Sequence, residues 1–448
     1  MKKFLLIGAA ALMVSNSTFA GGILTNTNQN AAYLRNPARD AVIAIDGVYS
    51  NPAGIAFLPQ GFHLSVSWQA AFQKRQIDAT GQMFQLNGGK ADKYFEGVAK
   101  APVIPSFQAA YVINDKWSVS AQFAVGGGGG KCEFENGLPM FEELVYGALA
   151  QGVAANNQLP AGAMVSKYAM NQNLIGKQYF YGFQVGGTYR LADNFSVFGG
   201  LRGVLANCAY EGAITGISGD VTFVHPVSGE SVTMPGVAQS TDLTLDCSQS
   251  GFGITPIIGL DWNLGKLNLA AKYEFRTKIE LENESTNSAN VDALMPAYAD
   301  GGKVRSDIPA LLTLGAQYQL TDAVRAMGGF HYYWDKDAKG SPIQKGDNTW
   351  EALLGIEWDV NDKIMLSLGG QRTDYNFDDA DMSDINFNTP NYAICLGGAY
   401  KFSEKMKLNV GYMHSFYEDH KVTNATSGVT RNYTRKNDVL GVSLDITF

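Results

Sequence analysis

The sequence predicts an all-β fold, a 14-stranded antiparallel transmembrane β-barrel. Three observations lead to this prediction: apolar and polar residues alternate with a period of two, short polar turns join paired segments, and the chain ends on Phe448 directly after such a segment. The final run, 440–448, alternates strictly, with Leu, Val, Ile and Phe on one face. The predicted strands cover residues 62–78, 104–114, 116–126, 178–192, 194–216, 248–264, 266–282, 307–321, 323–336, 345–361, 362–375, 390–402, 404–422 and 433–448.

The lengths of these segments favour a membrane barrel over a soluble β-sandwich or propeller, whose strands also alternate. The segments run for about 10 to 20 residues, whereas strands of globular proteins usually have about five or six. Trp117, Trp262, Trp334 and Trp350 lie near segment ends, where the aromatic girdles of a membrane barrel lie. An even number of strands places both termini on the periplasmic side, together with the short turns.

The composition fits a sheet with one lipid-facing and one polar side. Charged residues make up 17% of the chain and the mean hydropathy is −0.09. No run after the first 20 residues approaches the roughly 18 apolar residues of a membrane-spanning helix. The net charge of −8, from 34 basic and 42 acidic residues, disfavours nucleic acid as a partner.

The first 20 residues predict a secretory signal peptide. Lys2 and Lys3 precede an apolar run at 4–14, and small residues end the segment at Ala20. The predicted organisation is a signal peptide at 1–20, an N-terminal hatch or plug at 21–61 and the barrel at 62–448. The mature chain is expected in the outer membrane of a Gram-negative cell.

The segment between the signal peptide and the first strand carries a specific motif. It lacks long alternation, and a barrel of this size has a lumen too wide for its own side chains to fill, so the segment is predicted to plug the lumen. The run 41–58, AVIAIDGVYSNPAGIAFL, resembles the hatch signature of the FadL/TodX family of outer-membrane transporters of long-chain fatty acids and other hydrophobic compounds. The resemblance implies hatch or gating roles for Asp46, Gly47, Asn51, Pro52, Ala53 and Gly54.

The longest predicted loop, 127–177, contains a helical pattern, because its apolar residues recur at every third or fourth position. An extracellular loop has no separate core, so the apolar face of this helix must cover another loop or receive a ligand. The family resemblance implies the second, a surface groove for hydrophobic ligands shared with the loop at about 217–247. The residues of this face are Met140, Phe141, Leu144, Val145 and Leu149.

Five consecutive glycines end the predicted third strand: Gly126, Gly127, Gly128, Gly129 and Gly130. Glycines weaken a β-ladder and allow a kink or a bulge, although a flexible loop hinge would have the same composition. In the resembling family, an inward kink in strand three opens the barrel wall, and ligand leaves sideways into the bilayer. The resemblance therefore implies a lateral opening at or near this run.

Lumen-facing residues supply further candidates for ligand binding. A charge at membrane depth should face the lumen, where it can join an ion-pair ladder or hold a ligand carboxylate. Because the resembling family binds ligands with basic residues, Arg202 and Lys272 are the candidates for the carboxylate. Inward-facing apolar residues could line a pocket for the tail of the ligand; they are Phe198, Ile257, Leu311, Met327 and Leu353.

The sequence carries no pattern typical of catalysis. His63 and Ser65 share one face of the first strand, but they lie about 7 Å apart, and no Gly-x-Ser-x-Gly elbow occurs. No metal or cofactor motif is present, so the protein is predicted to be no enzyme and to need no cofactor. Export would allow a disulfide between Cys208 and Cys247, which stand near the ends of successive segments; isolated small residues are the alternative reading.

The leading functional prediction is uptake of hydrophobic compounds, with long-chain fatty acids the commonest cargo in the resembling family. Its steps are capture at the loops, binding in the lumen and lateral release at strand three. A structural or adhesive barrel and a polar-solute porin are the alternatives. The expected partners are hydrophobic small molecules, outer-membrane lipid with lipopolysaccharide, and the barrel-assembly machinery, and the protein is expected to be a monomer.

Overall fold

The structure, a computed structural model, describes residues 23–448, so the predicted signal peptide lies outside the described residues. The strands form one sheet that closes on itself, because the first strand pairs antiparallel with the last. The strands are β1 Gly61–Thr80, β2 Asp92–Val112, β3 Trp117–Phe134, β4 Met164–Ala192, β5 Phe195–Val224, β6 Ser231–Gln239, β7 Leu243–Asn263, β8 Leu267–Glu274, β9 Glu280–Ser285, β10 Lys303–Arg305, β11 Leu311–Gln319, β12 Val324–Tyr333, β13 Trp350–Asp359, β14 Ile364–Asp374, β15 Asn391–Ser403, β16 Met406–Tyr417, β17 His420–Thr423 and β18 Thr430–Thr447. The α-helices are α1 Ala31–Arg35, α2 Gly47–Ser50, α3 Pro139–Ala154 and α4 Ala289–Leu294, and short 3₁₀ helices cover Pro52–Phe57, Gln82–Leu86, Pro296–Tyr298, Asp335–Asp337 and Asp379–Asp381.

These 18 strands make up the predicted 14-stranded antiparallel barrel, which is confirmed. Three strands of the wall are interrupted, and each consists of two segments: β8 with β9, β10 with β11, and β16 with β17. Strand β6 forms a hairpin with the end of β5 and is not counted as a separate strand of the wall. The predicted bounds of β2, β3, β4 and β5 are wrong, because all four strands continue well beyond them at the end of the barrel away from the short turns. There one side of the sheet packs on α3 and the loops, so the sequence need not alternate strictly as it does where one side faces lipid.

Asparagine side chains shape the short turns at the end of the barrel where β1 begins and β18 ends. The side-chain oxygen of Asn114 accepts hydrogen bonds from the backbone amides of Lys116 and Trp117, both at 2.9 Å. Asn361 makes the same two bonds to Lys363 and Ile364 at the β13–β14 turn, again at 2.9 Å. The repeated geometry explains why Asn and Asp mark these turns in the sequence.

The outer surface of the barrel is apolar and the inner surface is polar. On β1, Phe62, Val66 and Trp68 are exposed, whereas the intervening His63 and Ser65 are buried inside. Such an outer face belongs in the hydrocarbon region of a bilayer. No helix in residues 23–448 is long and apolar enough to cross a membrane.

The interior of the barrel is occupied by the N-terminal segment, defined as residues 23–60. Its helix α1 packs against β1, β14–β16 and β18, and its 3₁₀ helix packs against β2–β5 and β7–β8 on the other side. Asn30 donates a hydrogen bond to Ser65 on β1 (3.0 Å), and the carbonyl of Pro52 accepts one from Thr188 on β4 (2.9 Å). The main apolar cluster lies above this segment and joins α3, the extracellular ends of β4, β5 and β7, and the loop after β14.

Candidate functional site

The N-terminal segment is fastened to the barrel wall by buried charges around Glu357. This carboxylate, on β13, accepts hydrogen bonds from Arg35 (2.5 Å) and Arg39 (2.9 Å) of the segment and from Arg325 on β12 (2.8 Å). Arg39 also makes a bidentate pair with Asp46, at 2.7 and 2.8 Å. The acidic residue of the predicted hatch signature therefore stabilises the fold of the segment itself. Because losing one partner of a buried ion pair costs about 3–5 kcal/mol, the cluster holds the segment firmly.

Pairs of glycines form notches in the inner wall that receive the N-terminal segment. In three consecutive hairpins of the wall, a glycine on one strand lies directly opposite a glycine on the next, and a methyl group at any of them would overlap atoms of residues 34–41. The two members of each pair are 14 residues apart, a spacing that is visible in the sequence but that period-two alternation does not report. The pairs are Gly315–Gly329, Gly355–Gly369 and Gly397–Gly411.

The Asn-Pro-Ala-Gly motif forms a compact turn that rests on the wall. Asn51 caps the 3₁₀ helix that follows it by accepting a hydrogen bond from the amide of Gly54 (3.2 Å). Its side-chain amide donates to Asp261 on β7 (2.5 Å), and the carbonyl of Pro52 is held by Thr188. A side chain on Gly54 would overlap that of Asn51. The motif thus docks the end of the segment onto β4 and β7, and its gating role stays a prediction.

The predicted ligand-binding residues of the lumen lie against the N-terminal segment. Arg202 and Lys272 both pair with Glu274, at 2.6 and 2.7 Å, and Lys272 also donates to the carbonyl of Tyr49 (2.8 Å). Both cations lie against the ring of Tyr49. A ligand carboxylate would have to compete with Glu274 for them. The apolar candidates Phe198 and Ile257 pack on Ala53, Met327 and Leu353 pack with Tyr33 and Val42, and Leu311 is fully buried.

The ladder between β2 and β3 is interrupted over a long stretch of the wall. The two strands pair from Ser106–Ala124 to the short turn at Asn114, and again at Ala99–Cys132, but residues 100–105 and 125–131 form no ladder with each other. On β2 this stretch reads Lys-Ala-Pro-Val-Ile-Pro, and both prolines lack the amide hydrogen that a ladder needs. We call this stretch the wall gap.

The sequence predicts that the glycine run ends the third strand, but the structure places the run inside β3, at the wall gap. Gly128 and Gly130 have positive φ angles of 81° and 77°, and the pairing with β4 shifts register on either side of Gly127. The backbone of Leu24 lies so close to Gly127 that any side chain there would collide with it, and the amide of Asn26 donates to the carbonyl of Gly126 (3.0 Å). The run therefore kinks β3 and receives the start of the N-terminal segment on its inner side.

The predicted loop helix is confirmed as α3, and its apolar face enters the cluster below the loops. Phe141, Val145 and Leu149 are buried, and Met140 and Leu144 are partly buried against the same cluster. Beside Phe141 and Leu144 lies a small apolar cavity of ≈ 50 Å³. Ligand cavities usually measure about 300–1,000 Å³, so a ligand would have to displace side chains here.

Two arginines that sequence reasoning missed lie directly below the loops. Arg75 on β1 and Arg435 on β18 are opposite each other in the register, and each is only 2% exposed. Arg75 donates to the backbone carbonyls of Ile385 and Phe387 (3.3 and 3.4 Å), and Arg435 donates to the side-chain oxygen of Asn388. Like charges at a directly opposed pair repel each other, so an anion between them would be stabilised. The signal in the sequence is a Lys-Arg in the first strand and an Arg-Lys in the last, which become neighbours only when the barrel closes.

The expected disulfide is wrong, because Cys208 and Cys247 are both free thiols. In the register, Cys208 lies opposite Gln249 and Cys247 opposite Tyr210, so the two cysteines are diagonal neighbours. Diagonal residues lie about 7–8 Å apart, whereas a disulfide needs Cβ atoms within about 4.5 Å.

Comparison with known proteins supports the fold. No protein-family model matches the chain, and no curated protein matches its sequence. A FadL homologue of Pseudomonas aeruginosa is similar in structure, with a TM-score of 0.68 at 15% identity, covering 96% of this chain and 100% of that one. The chain has the FadL/TodX fold.

Two toluene transporters of the FadL/TodX fold are also similar to this chain. TodX of P. putida has a TM-score of 0.55 at 14% identity, and the alignment covers 90% of this chain and 94% of the TodX chain. TbuX of Ralstonia pickettii gives 0.54 at 13% identity, with 92% and 98% covered. The structural similarity covers essentially the whole barrel. Because the sequence identity is low, the ligand has to be inferred from the residues of this chain.

Proposed function

We propose that this protein belongs to the FadL/TodX family in function as well as in fold, and that it takes up hydrophobic compounds, foremost long-chain fatty acids, across the outer membrane of a Gram-negative cell. One observation carries the proposal. The route along the barrel axis is filled by the N-terminal segment, while the ladder between β2 and β3 is interrupted at the wall gap. In this proposal the two termini lie on the periplasmic side, and the N-terminal segment that fills the barrel acts as the hatch.

The proposed path has three steps. The apolar face of α3 captures the ligand at the loops, where Phe141 and Leu144 border an apolar cavity. The carboxylate then settles between Arg75 and Arg435, beneath the apolar cluster that holds its tail. At Arg202 and Lys272, by contrast, a ligand carboxylate would have to compete with Glu274. The ligand leaves through the wall gap into the bilayer.

A disulfide across the wall gap tests the lateral step. A Cβ atom on Gly130 would lie 3.5 Å from that of Ala101, at the short end of the about 3.5–4.5 Å that a disulfide allows. We expect the Ala101→Cys, Gly130→Cys variant, with Cys132→Ser to prevent mispairing, to lose uptake of labelled oleate when oxidised and to regain it on reduction. Cysteine at the positive φ of Gly130 costs only about 1–2 kcal/mol, which a barrel tolerates.

The matched control places a bridge on the same two strands outside the wall gap. Ala99 lies opposite Cys132, so Ala99→Cys allows a bridge where the ladder already exists, and uptake should not change on oxidation. Unchanged uptake with the bridge across the gap formed, in a barrel that still resists unfolding, would overturn lateral release. Steady ion conductance of the native protein in planar bilayers would instead favour a porin.

A further inference from the structure

His331 lies between two carboxylates that come from different parts of the molecule. The ring is on the inner face of β12, with Nδ1 2.8 Å from Glu351 on β13. Nε2 is 3.0 Å from both side-chain oxygens of Asp40, in the N-terminal segment. All three side chains are buried, with at most 5% of any residue exposed. The contact therefore joins the segment to the wall in a place that water does not reach.

The geometry requires a doubly protonated ring. A carboxylate can only accept hydrogen bonds, so each ring nitrogen that faces one must carry a proton. Glu351 also accepts hydrogen bonds from Tyr333 (2.7 Å), Gln371 (2.5 Å) and Thr373 (2.8 Å), which fix it as a carboxylate. The ring is thus an imidazolium, and its charge offsets one of the two buried negative charges.

Asp40 depends on this ring more than Glu351 does. Among the described residues, the Asp40 carboxylate accepts hydrogen bonds from His331 alone. It sits in the notch of Gly315 and Gly329, where a methyl group on either glycine would overlap it. The notch fits Asp40 only when the N-terminal segment is docked.

Within residues 23–448, no other charged group forms a hydrogen bond with Asp40. On β11, the residue opposite His331 is the neutral Thr313. The next strand, β8, carries Lys272 in the same row, but this cation is bonded to Glu274 and to the carbonyl of Tyr49. Among the described residues, the charged groups that contact the ring are therefore Asp40 and Glu351.

We propose that His331 is a proton-dependent latch, which fastens the N-terminal segment to the barrel wall while both ring nitrogens are protonated and releases it when one proton is lost. The inference goes beyond the proposed transport and does not rest on it. A neutral ring that keeps its proton towards Glu351 presents a bare nitrogen to Asp40. That leaves a buried carboxylate without a donor, and the segment gains by withdrawing Asp40 from its notch.

The variant Asp40→Asn should abolish the pH dependence without abolishing the latch. An asparagine amide can donate to an unprotonated Nε2 while Nδ1 still donates to Glu351, so a neutral His331 satisfies both neighbours. His331→Gln provides the opposite case, because its single amide nitrogen reaches only one of the two carboxylates, and the segment should be loosened at every pH.

The test is hydrogen exchange of the purified full-length protein in lipid nanodiscs from about pH 7 to about pH 9.5, corrected for the chemical exchange rate. In the native protein, protection of residues 34–43 should fall at least about tenfold as pH rises, while residues 52–58 stay protected. Asp40→Asn should keep residues 34–43 protected throughout. If both stretches lose protection in parallel, or if Asp40→Asn shows the native pH dependence, the latch is refuted.

Discussion

Replacing Glu357 by glutamine removes the carboxylate that Arg35 and Arg39 of the N-terminal segment share with Arg325 on β12. The loss falls unequally on its three partners. Arg39 keeps Asp46 and Arg325 keeps Asp359, whereas Arg35 retains only weak neutral acceptors, such as Asn409 at 3.3 Å. Arg35 then becomes an uncompensated buried charge, which costs about 3–5 kcal/mol. The opened state of the segment should therefore be populated about a hundred- to several-thousand-fold more than in the native protein.

Hydrogen exchange of residues 31–40, or cleavage of the segment by a protease added from the periplasmic side, measures this population. The matched control is Asp359→Asn, which removes a second carboxylate from Arg325 where a third of the Asp359 side chain is exposed. Because pairs at such exposed sites contribute only about 0–1 kcal/mol, the control should barely change the exchange. An increase of less than about fivefold for Glu357→Gln, with the barrel intact, would refute the assignment of Glu357 as the anchor.

Three further predictions concern the arginine pair, the glycine notches and the extracellular turn. Arg435→Met should weaken oleate binding about 10- to 100-fold and leave toluene binding unchanged. A fluorescence displacement assay measures both, with Lys436→Met, which changes an outward-facing residue, as the control. An equal loss of affinity for both ligands would contradict a carboxylate site. Gly355→Ala should lower the free energy of unfolding in urea by about 1–3 kcal/mol. Gly370→Ala, where a methyl group meets only ordinary contacts, should leave it unchanged. Equal effects of the two variants would contradict the role of Gly355 in receiving the N-terminal segment. Burial raises the pKa of Asp335 to about 6, so its carboxyl contributes stability below about pH 4 that is lost as the pH rises through 6. The advantage of Asp335→Asn over the native protein in urea unfolding should therefore grow across this window to about 3 kcal/mol, and an advantage that does not vary with pH would contradict the burial argument.

Period-two alternation predicts the membrane part of this fold because lipid and lumen impose opposite demands on neighbouring residues. Residues 440–448 show it fully, and they form the end of β18 as expected. The same rule fails above the membrane, where Met164–Ala192 and Phe195–Val224 continue for many residues without a lipid-facing side. The interruption between β8 and β9 also escapes it, because the residues there keep their alternation while the backbone leaves the ladder.

The sequence predicts those candidate site residues whose position depends on a single strand, and it misses those whose position depends on the alignment of two strands. The parity of a single strand placed Arg202 and Lys272 inside, although their pairing with Glu274 depends on the β5–β7–β8 register. Arg75 meets Arg435 only because the first strand pairs with the last, at a separation of 360 residues that no local pattern reports. The predicted disulfide depends on alignment in the same way. Cys208 and Cys247 are offset by two residues in the register of β5 and β7, so their thiols do not lie opposite each other.

If the protein transports a ligand as proposed, the contacts of the N-terminal segment favour the lateral route over the axial one. Opening the axial route means pulling Arg35, Arg39 and Asp40 out of buried charge contacts, at about 3–5 kcal/mol each. At the wall gap the ladder bonds between β2 and β3 are already absent, and what covers the gap from inside is the backbone of Leu24 and the neutral side chain of Asn26. Neutral hydrogen bonds contribute only about 0.5–1.5 kcal/mol each. In the proposed uptake, a hydrophobic ligand in the lumen would therefore displace residues 24–26 more readily than the charged part of the segment, so the segment could seal the axis while the ligand leaves through the wall gap.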